Sequence, residues 1–105
     1  MKTTPYDKCP LQIMLESVGG KWKLLIIFNL KQNGVVRFGA LHRTIPGISQ
    51  KVLTSQLREL ESSSFVKRKV YPEVPPRVEY SLTPTGKSLY PVLESMAQWA
   101  SDNIK

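Results

Sequence analysis

Residues 38–60 read FGALHRTIPGISQKVLTSQLREL, and this stretch decides the predicted fold. Its first part carries Phe38, Leu41 and Ile45 at helical spacing, which predicts one short amphipathic helix. The proline and glycine at 46–47 end that helix, since proline disfavours a helical residue before it and glycine favours a turn. A second amphipathic helix follows. A short helix, a tight turn and a second helix are the parts of a helix-turn-helix arrangement.

The second helix of this stretch runs from Ser49, a good N-cap residue, to about Ser62. Three leucines share one face at spacings i, i+4 and i+7: Leu53, Leu57 and Leu60. Four polar side chains lie on the other face within an arc of about 100 degrees: Gln50, Lys51, Thr54 and Arg58. In a helix-turn-helix the second helix enters the major groove of DNA, so this polar face is the candidate DNA-binding face.

The side chains of this face suit the chemistry of a duplex. Gln50 and Lys51 fit the acceptors on base edges. Thr54 fits a phosphate or a thymine methyl group, and Arg58 fits a phosphate farther along. Ser49 and the unpaired amides at the helix start add an anion site. The alternative interpretation is that this is an ordinary polar surface that water solvates.

Positive charge is concentrated around this helix. The 105-residue chain has 15 Lys and Arg against 8 Asp and Glu, a net charge of +7 that favours a polyanionic partner. No acidic residue lies between Glu16 and Glu59, whereas seven cations do: Lys21, Lys23, Lys31, Arg37, Arg43, Lys51 and Arg58. Arg43 joins the candidate DNA contacts. Nucleic acid fits better than an anionic membrane surface, and no apolar run approaches the roughly 20 residues of a membrane span.

After residue 65 the hydrophobic period changes to two. Segments 66–71 and 77–82 both alternate, which predicts the two strands of a β-hairpin with a proline-rich tip at 72–76. The prolines exclude a two-residue turn, so the tip should project as a stiff loop. The hairpin carries three candidate DNA contacts: Lys67, Lys69 and Arg77. Arg77, at the projecting tip, is the strongest of them, although lysines on an edge strand also serve simply to keep that strand soluble.

Two helices and a short strand are predicted before the deciding stretch. The first helix opens at Pro10 and ends at the glycine pair 19–20. The second begins near Trp22, is apolar on most sides and ends before Asn33, which describes a buried central helix. Residues 35–37 form a candidate strand.

A last helix follows the hairpin, capped by Thr83 or Thr85. It carries an apolar stripe: Leu89, Val92, Leu93, Met96 and Trp99 or Ala100. The complete order of elements is that of a winged helix-turn-helix, a mainly α fold with a small β-hairpin wing (α+β). We expect residues 1–105 to form one such domain.

Cysteine and histidine usage excludes several kinds of site. Cys9 is the only cysteine, so no intrachain disulfide forms, and a reducing cytoplasm fits. Residues 1–8 are polar and give no export signal. His42 is the only histidine, which supports neither a histidine metal cluster nor a Ser/His/Asp triad, and we expect it near DNA. We therefore expect no catalytic site, no metal and no cofactor.

Alternatives to DNA binding stay open at this point. A winged helix with the same basic face is also suited to an acidic protein partner, which would make the chain a protein-interaction module. A weaker alternative is a thiol-dependent enzyme built on Cys9 and His42. Cys9 itself is either an inert small hydrophobe or a redox-sensing thiol.

Several motifs carry a resemblance to a known family: Cys9-Pro10, Gly19-Gly20-Lys21-Trp22, Arg37-Phe38, the segment from Ile48 to Thr54, that from Leu57 to Glu61, and that from Tyr71 to Thr83. With these motifs the chain resembles the HxlR-type transcriptional regulators over nearly its full length. The resemblance implies a MarR-like winged-helix homodimer that binds pseudo-palindromic operator DNA near promoters. Its recognition helix would be at about 49–62 and its wing at about 66–82.

The resemblance also implies roles outside the DNA-binding face. Dimerisation would use the first and last helices, at about 9–18 and 84–103, through these side chains: Leu11, Leu15, Leu89, Val92, Leu93, Met96 and Trp99. Some members of the family sense small electrophiles or oxidants through the cysteine that matches Cys9. One departure lies at 63–64, where the family commonly has an acidic residue and a glycine. This chain has serine at both positions, so Ser64 would hold a left-handed conformation at a modest cost in stability.

Overall fold

The computed structural model describes residues 9–104, so the interpretation of residues 1–8, including the absence of an export signal, lies outside the described residues. Within the described part, five helices and three strands follow in this order: α1 Pro10–Val18, α2 Lys23–Asn33, β1 Val36–Arg37, α3 Phe38–Thr44, α4 Gln50–Ser62, β2 Val66–Tyr71, β3 Arg77–Leu82 and α5 Pro84–Asn103. The predicted mainly α, winged helix-turn-helix architecture is confirmed.

The wing belongs to a three-stranded antiparallel sheet, whereas the sequence predicted a two-stranded hairpin and a short strand at 35–37 without pairing them. The strand order is β1–β3–β2, because the short strand β1 pairs with β3. Tyr80 of β3 lies opposite Val36 of β1 on one side and opposite Arg68 of β2 on the other. The wing is therefore fixed to the residues immediately before α3, which sets its position relative to the helix-turn-helix.

The buried core lies between the helices and the inner face of the sheet. α2 contributes Ile26, Ile27 and Leu30, each 0% exposed, which confirms the prediction of a buried central helix. α4 contributes the three leucines of its predicted apolar face: Leu53, Leu57 and Leu60. Full burial of one such side chain contributes roughly 1.5–3 kcal/mol. Since the leucine face of α4 is held in the core, its opposite face must point outward.

Side-chain caps define where the helices begin. Ser49 Oγ accepts a hydrogen bond from the backbone N–H of Val52 at 3.1 Å, which confirms Ser49 as the N-cap of α4. Of the two threonine candidates, Thr83 caps α5, because its Oγ1 accepts from the backbone N–H of Gly86 at 3.1 Å. The same hydroxyl donates to the carbonyl oxygen of Ser64 at 2.6 Å. This bond connects the start of α5 to the turn after α4.

Two residues with positive φ mark helix ends. Gly34 has φ 76° and lies directly after α2, so α2 includes Asn33 instead of ending before it. Ser64 has φ 66°, the left-handed conformation expected from the departure at 63–64. A serine in this region is strained because its Cβ crowds the neighbouring carbonyl, whereas glycine has no Cβ.

Candidate nucleic-acid interface

The outward surface of α4, here called the α4 face, forms one open concave surface. Its four predicted polar side chains line a recess of about 600 Å³: Gln50, Lys51, Thr54 and Arg58. Thr54 is half-buried and the other three are exposed. Ser49, also exposed, accepts the Val52 amide at the helix start, so its hydroxyl hydrogen is still able to donate to an anion. The structure thus brings the predicted polar set together on one helix.

The charge of the α4 face is positive despite a nearby acid. Among the described residues, Glu59 is the acidic side chain that lines this recess. Its Oε1 lies 2.9 Å from Nζ of Lys23 on α2, within salt-bridge distance. Because Lys23 neutralises Glu59, the charges of Lys51 and Arg58 dominate the surface. Phe38 adds an apolar wall that the sequence interpretation did not include, and it is suited to a thymine methyl group.

A second, smaller recess lies between α4 and the sheet and is here called the side recess. Its volume is about 190 Å³, and five residues line it: Thr54, Arg58, Glu61, Arg68 and Tyr80. Thr54 and Arg58 line both recesses, so the two are adjacent. Arg68 was absent from the predicted site. The signal that identifies it is strand alternation, because Arg68 shares a strand face with buried Val66 and therefore points toward α4.

The same alternation places the two lysines of the wing on its opposite face. Lys67 and Lys69 are exposed and lie opposite Ser81 and Glu79 of β3. Lys69 Nζ is 4.9 Å from the centroid of the Tyr71 ring, a cation–π distance. The structure therefore separates these lysines from the α4 face. They remain candidates for contacts that the wing makes by itself.

Arg77 does not project from the wing tip as the sequence suggested. It begins β3, and its Cζ lies 3.9 Å from the centroid of the Tyr71 ring. Its Nη2 is 3.2 Å from Oε2 of Glu73, and its Nε is 3.7 Å from Oε2 of Glu79. That Nε is buried without a hydrogen bond, since 3.7 Å is too long for one. Two carboxylates and a ring hold Arg77 against the wing, and Val74 is the fully exposed residue of the tip.

His42 and Arg43 lie on the last turn of α3. His42 Nε2 is 2.8 Å from the carbonyl oxygen of Ile48, so this nitrogen carries the proton and donates it. The bond spans the turn between α3 and α4, and His42 therefore stabilises the helix-turn-helix. Arg43 is exposed and lines neither the α4 recess nor the side recess.

Large apolar side chains are exposed on three helices, α1, α2 and α5, and are here called together the apolar face. Five of the seven predicted interface residues belong to it: Leu11, Leu15, Val92, Met96 and Trp99. The other two lie beneath it, because Leu93 is 6% exposed in the core and Leu89 is half-buried against that core. The structure adds Leu25, which is 46% exposed and lines an apolar recess with Met96. The sequence interpretation missed Leu25 because it treated α2 as a largely buried core helix.

Cys9 is half-buried at the N-cap of α1. Its backbone N–H donates to Oε1 of Gln12 at 3.1 Å. The residue thus lies at the edge of the apolar face, next to the first turn of a helix that carries Leu11 and Leu15. A chemical change at Cys9 would act directly on the start of α1.

Metal-binding clusters and membrane-spanning helices are both absent from residues 9–104. Within this range no cluster of three His, Cys, Asp or Glu side chains is arranged to hold a metal ion. Among its helices, none combines the length and the apolar character needed to cross a membrane.

Comparison with known proteins agrees with this geometry. The profile of the family described as HxlR-like helix-turn-helix matches residues 17–105. A protein of Methanothermobacter thermautotrophicus, described as an uncharacterized HTH-type transcriptional regulator, is 50% identical over 91 residues, which are 87% of this chain and 69% of that protein.

Solved structures of transcription regulators are also similar. The redox regulator HypR in its reduced form has 43% identity and a TM-score of 0.84, covering 90% of this chain and 93% of HypR. The reduced form of the transcriptional regulator YodB from Bacillus subtilis has 39% identity and a TM-score of 0.78, covering 93% of this chain and 96% of YodB.

Proposed function

We propose that this chain, which belongs to the HxlR-like helix-turn-helix family of transcriptional regulators, binds operator DNA as a homodimer in the cytoplasm. Its family acts in transcriptional regulation and not in catalysis. The observation that carries the proposal is the α4 face, where polar and cationic side chains line one recess. Among the described residues a single carboxylate, that of Glu59, lines this recess, and it is paired with Lys23.

In the proposed complex α4 lies in the major groove with its N-terminus leading. Gln50 and Lys51, in the first turn, read base edges. Ser49 donates its hydroxyl to a phosphate next to the helix start, where the amide groups also favour an anion. Thr54 and Arg58 follow one and two turns later and contact a phosphate or, for Thr54, a thymine methyl group. The leucine face keeps the helix rigid during these contacts.

The wing and α3 extend the proposed contacts along the backbone. Lys67 and Lys69 are exposed and suited to phosphates beside the groove that α4 occupies. Arg77 contributes less charge than an isolated arginine, since Glu73 and Glu79 already lie beside its guanidinium. Arg43, exposed at the end of α3, contacts a flanking phosphate.

The apolar face supports the homodimer part of the proposal. Leu11 and Trp99 are 60% and 61% exposed, and such large side chains cost free energy when they contact water. A second copy that covers them from both α1 and α5 forms an isologous two-fold interface. To bind two half-sites at once, this dimer would hold its two α4 helices about one duplex turn, roughly 34 Å, apart. This spacing matches a pseudo-palindromic operator.

Cys9 is proposed as a sensor of small electrophiles or oxidants. Two similar structures support this role: HypR is described as a redox regulator, and YodB has also been solved after treatment with diamide. With a quinone, the Cys9 sulfur forms a C–S bond at a ring carbon. The thiol proton passes to the quinone, which becomes a hydroquinone thioether, so no separate oxidant is needed. The modification lies at the start of α1, where it alters the proposed dimer and hence the spacing of the α4 helices.

The experiment that tests the proposal compares Lys51→Ala with the matched control Lys87→Ala. Binding to duplex DNA from the chain's own promoter region is measured by fluorescence anisotropy, with an unrelated duplex as reference. Lys51→Ala should lose roughly tenfold in affinity for the promoter and less for the unrelated duplex, because a base contact is lost. Lys87 is exposed on α5, away from both recesses of α4, so its variant should match the parent.

Two results would contradict the proposal. The first is a parent protein that binds neither duplex at low salt, which would favour an acidic protein partner for the same basic face. The second is an unaltered promoter affinity in Lys51→Ala, which would remove the α4 face from the interface.

A further inference from the structure

The side recess contains two arginines from different elements. Arg58 comes from the second half of α4, and Arg68 comes from the middle of β2. Both line the same volume of about 190 Å³, together with the hydroxyl-bearing side chains of Thr54 and Tyr80. The helix and the strand meet there because α4 packs against β2.

The backbone fixes the direction of Arg68. Val66, two residues earlier on the same strand face, is 2% exposed in the core next to α4. Tyr80, directly opposite Arg68 on β3, is 8% exposed. Side chains two residues apart on a strand point to the same side, so Arg68 extends over the edge of the core toward α4. Its position therefore does not depend on a flexible loop.

The arginines of the side recess have no acidic partner within reach in the described part of the chain. Neither Arg58 nor Arg68 has a carboxylate oxygen within 4.0 Å there, although Lys23 pairs with Glu59 and Arg77 lies beside two glutamates. Glu61 also lines the recess, and its single charge leaves the pair of guanidinium groups with an excess of positive charge. Two like charges that share a small concavity repel each other, and a bound anion removes that repulsion.

The donor set matches a phosphate group. Each guanidinium presents a planar fork of N–H donors that binds two oxygens of a phosphate at once, and a hydroxyl adds a further donor. The recess adjoins the α4 face, with which it shares Thr54 and Arg58. A duplex whose major groove receives α4 therefore brings the phosphates along that groove next to the recess.

We infer that the side recess binds one phosphate of the DNA backbone and that Arg68 is a DNA contact, an inference that rests on the proposed function. This contact carries no base information. It fixes how deeply and in which register α4 lies in the groove, because it joins the sheet and the helix to the same phosphate. A two-fold dimer makes the contact twice, once in each half-site.

The first experiment measures the salt dependence of DNA binding for the parent, Arg68→Gln and the control Lys87→Gln. Each phosphate contact contributes about 1 to the slope of log affinity against log salt concentration. Arg68→Gln should therefore lower the slope by about 2 for a dimer and weaken binding roughly tenfold at moderate salt. Lys87→Gln, which removes an exposed cation on α5, should leave both unchanged. Arg68→Lys keeps the charge and should retain the slope while losing part of the affinity.

The second experiment identifies the source of the phosphate. Single phosphates of the duplex are replaced in turn by neutral methylphosphonates. One position in each half-site should weaken the parent and have no effect on Arg68→Gln. If no position does so, and inorganic phosphate instead raises the melting temperature of the parent but not of Arg68→Gln, the recess binds a free anion and the inference is wrong.

The two proposals fail in different ways. A parent protein that binds no duplex overturns the proposed function and this inference together. A parent that binds DNA, with Arg68→Gln equal to Lys87→Gln in slope and affinity, overturns this inference alone. Circular dichroism and thermal unfolding establish whether each variant is folded. If Arg68→Gln does not fold, the affinity and salt slope of Arg68→Lys test the contact instead.

Discussion

Arg68 and Arg77 belong to the same hairpin, yet strand position gives them different surroundings. Arg68 lies on the face of the hairpin that carries Val66 and meets α4. Among the described residues, no carboxylate lies within salt-bridge distance of the Arg68 guanidinium. Arg77 lies on the other face, against the Tyr71 ring and beside Glu73 and Glu79. The more isolated charge is therefore the one nearer the proposed duplex. Composition alone ranks the two arginines as equals.

At residue scale, Ser64→Gly should raise the free energy of unfolding by about 0.5–1 kcal/mol. An L-residue at φ 66° loses roughly 1–2 kcal/mol, and the greater freedom of glycine in the unfolded chain offsets about half of that gain. Ser63→Gly is the matched control. Ser63 has φ −88°, so its replacement should lower stability by about 0.5 kcal/mol. Equal effects at both positions in urea unfolding would show that Ser64 is unstrained.

Cys9 gives a second prediction at residue scale. Exposure to benzoquinone should change the DNA affinity of the parent, because the adduct forms at the start of α1 beside the apolar face. Cys9→Ser should keep its affinity under the same treatment, since the chain has no other cysteine. Mass spectrometry counts the adducts in parallel. An identical response of parent and variant would make Cys9 a structural residue.

At the scale of elements, the wing is held in shape by pairs across its two strands and by the third strand β1. Tyr80 is paired on both sides, so the middle of the wing is part of the sheet and not a free hairpin. The Arg77–Glu73 pair bridges the tip loop, since these residues lie on either side of Pro75 and Pro76. A wing built in this way presents Lys67 and Lys69 in fixed positions.

Arg77→Ala should weaken DNA binding and lower the salt slope by less than Arg68→Gln does. The reason is that Glu73 and Glu79 already neutralise part of the Arg77 charge. Glu73→Gln removes one of these carboxylates and should strengthen binding at low salt. Both variants are compared by anisotropy over a salt series. Arg77→Ala with unchanged affinity and slope would exclude Arg77 from the interface.

Local patterns predicted most of the elements, because helix periodicity and capping depend on neighbouring residues. The α4 helix has its predicted cap at Ser49, and the strands of the wing have their predicted bounds. Three features depend on how side chains and elements come together in three dimensions and were missed. The pairing of β1 with β3 joins segments more than forty residues apart. Arg68 meets α4 only after the sheet has formed, and the carboxylates beside Arg77 become visible only in three dimensions.

At the scale of the whole molecule, two surfaces of different character support different tasks. The α4 face and the side recess carry an excess of positive charge, which suits a polyanionic duplex. The apolar face on α1, α2 and α5 exposes Leu11, Leu25 and Trp99, as a protein interface requires. α2 packs against both α5 and α4, so packed side chains connect the apolar face with the α4 face. In this account the dimer controls the spacing of the two recognition helices.

A hydroxyl-radical footprint of the parent protein on its promoter DNA tests that claim most directly. The account predicts two protected regions, separated by about one duplex turn, with a two-fold relation between the strands. The same two regions should be protected at low salt, and Lys51→Ala should protect both of them more weakly. A single protected region, or a protein that protects no DNA even at low ionic strength, would contradict it.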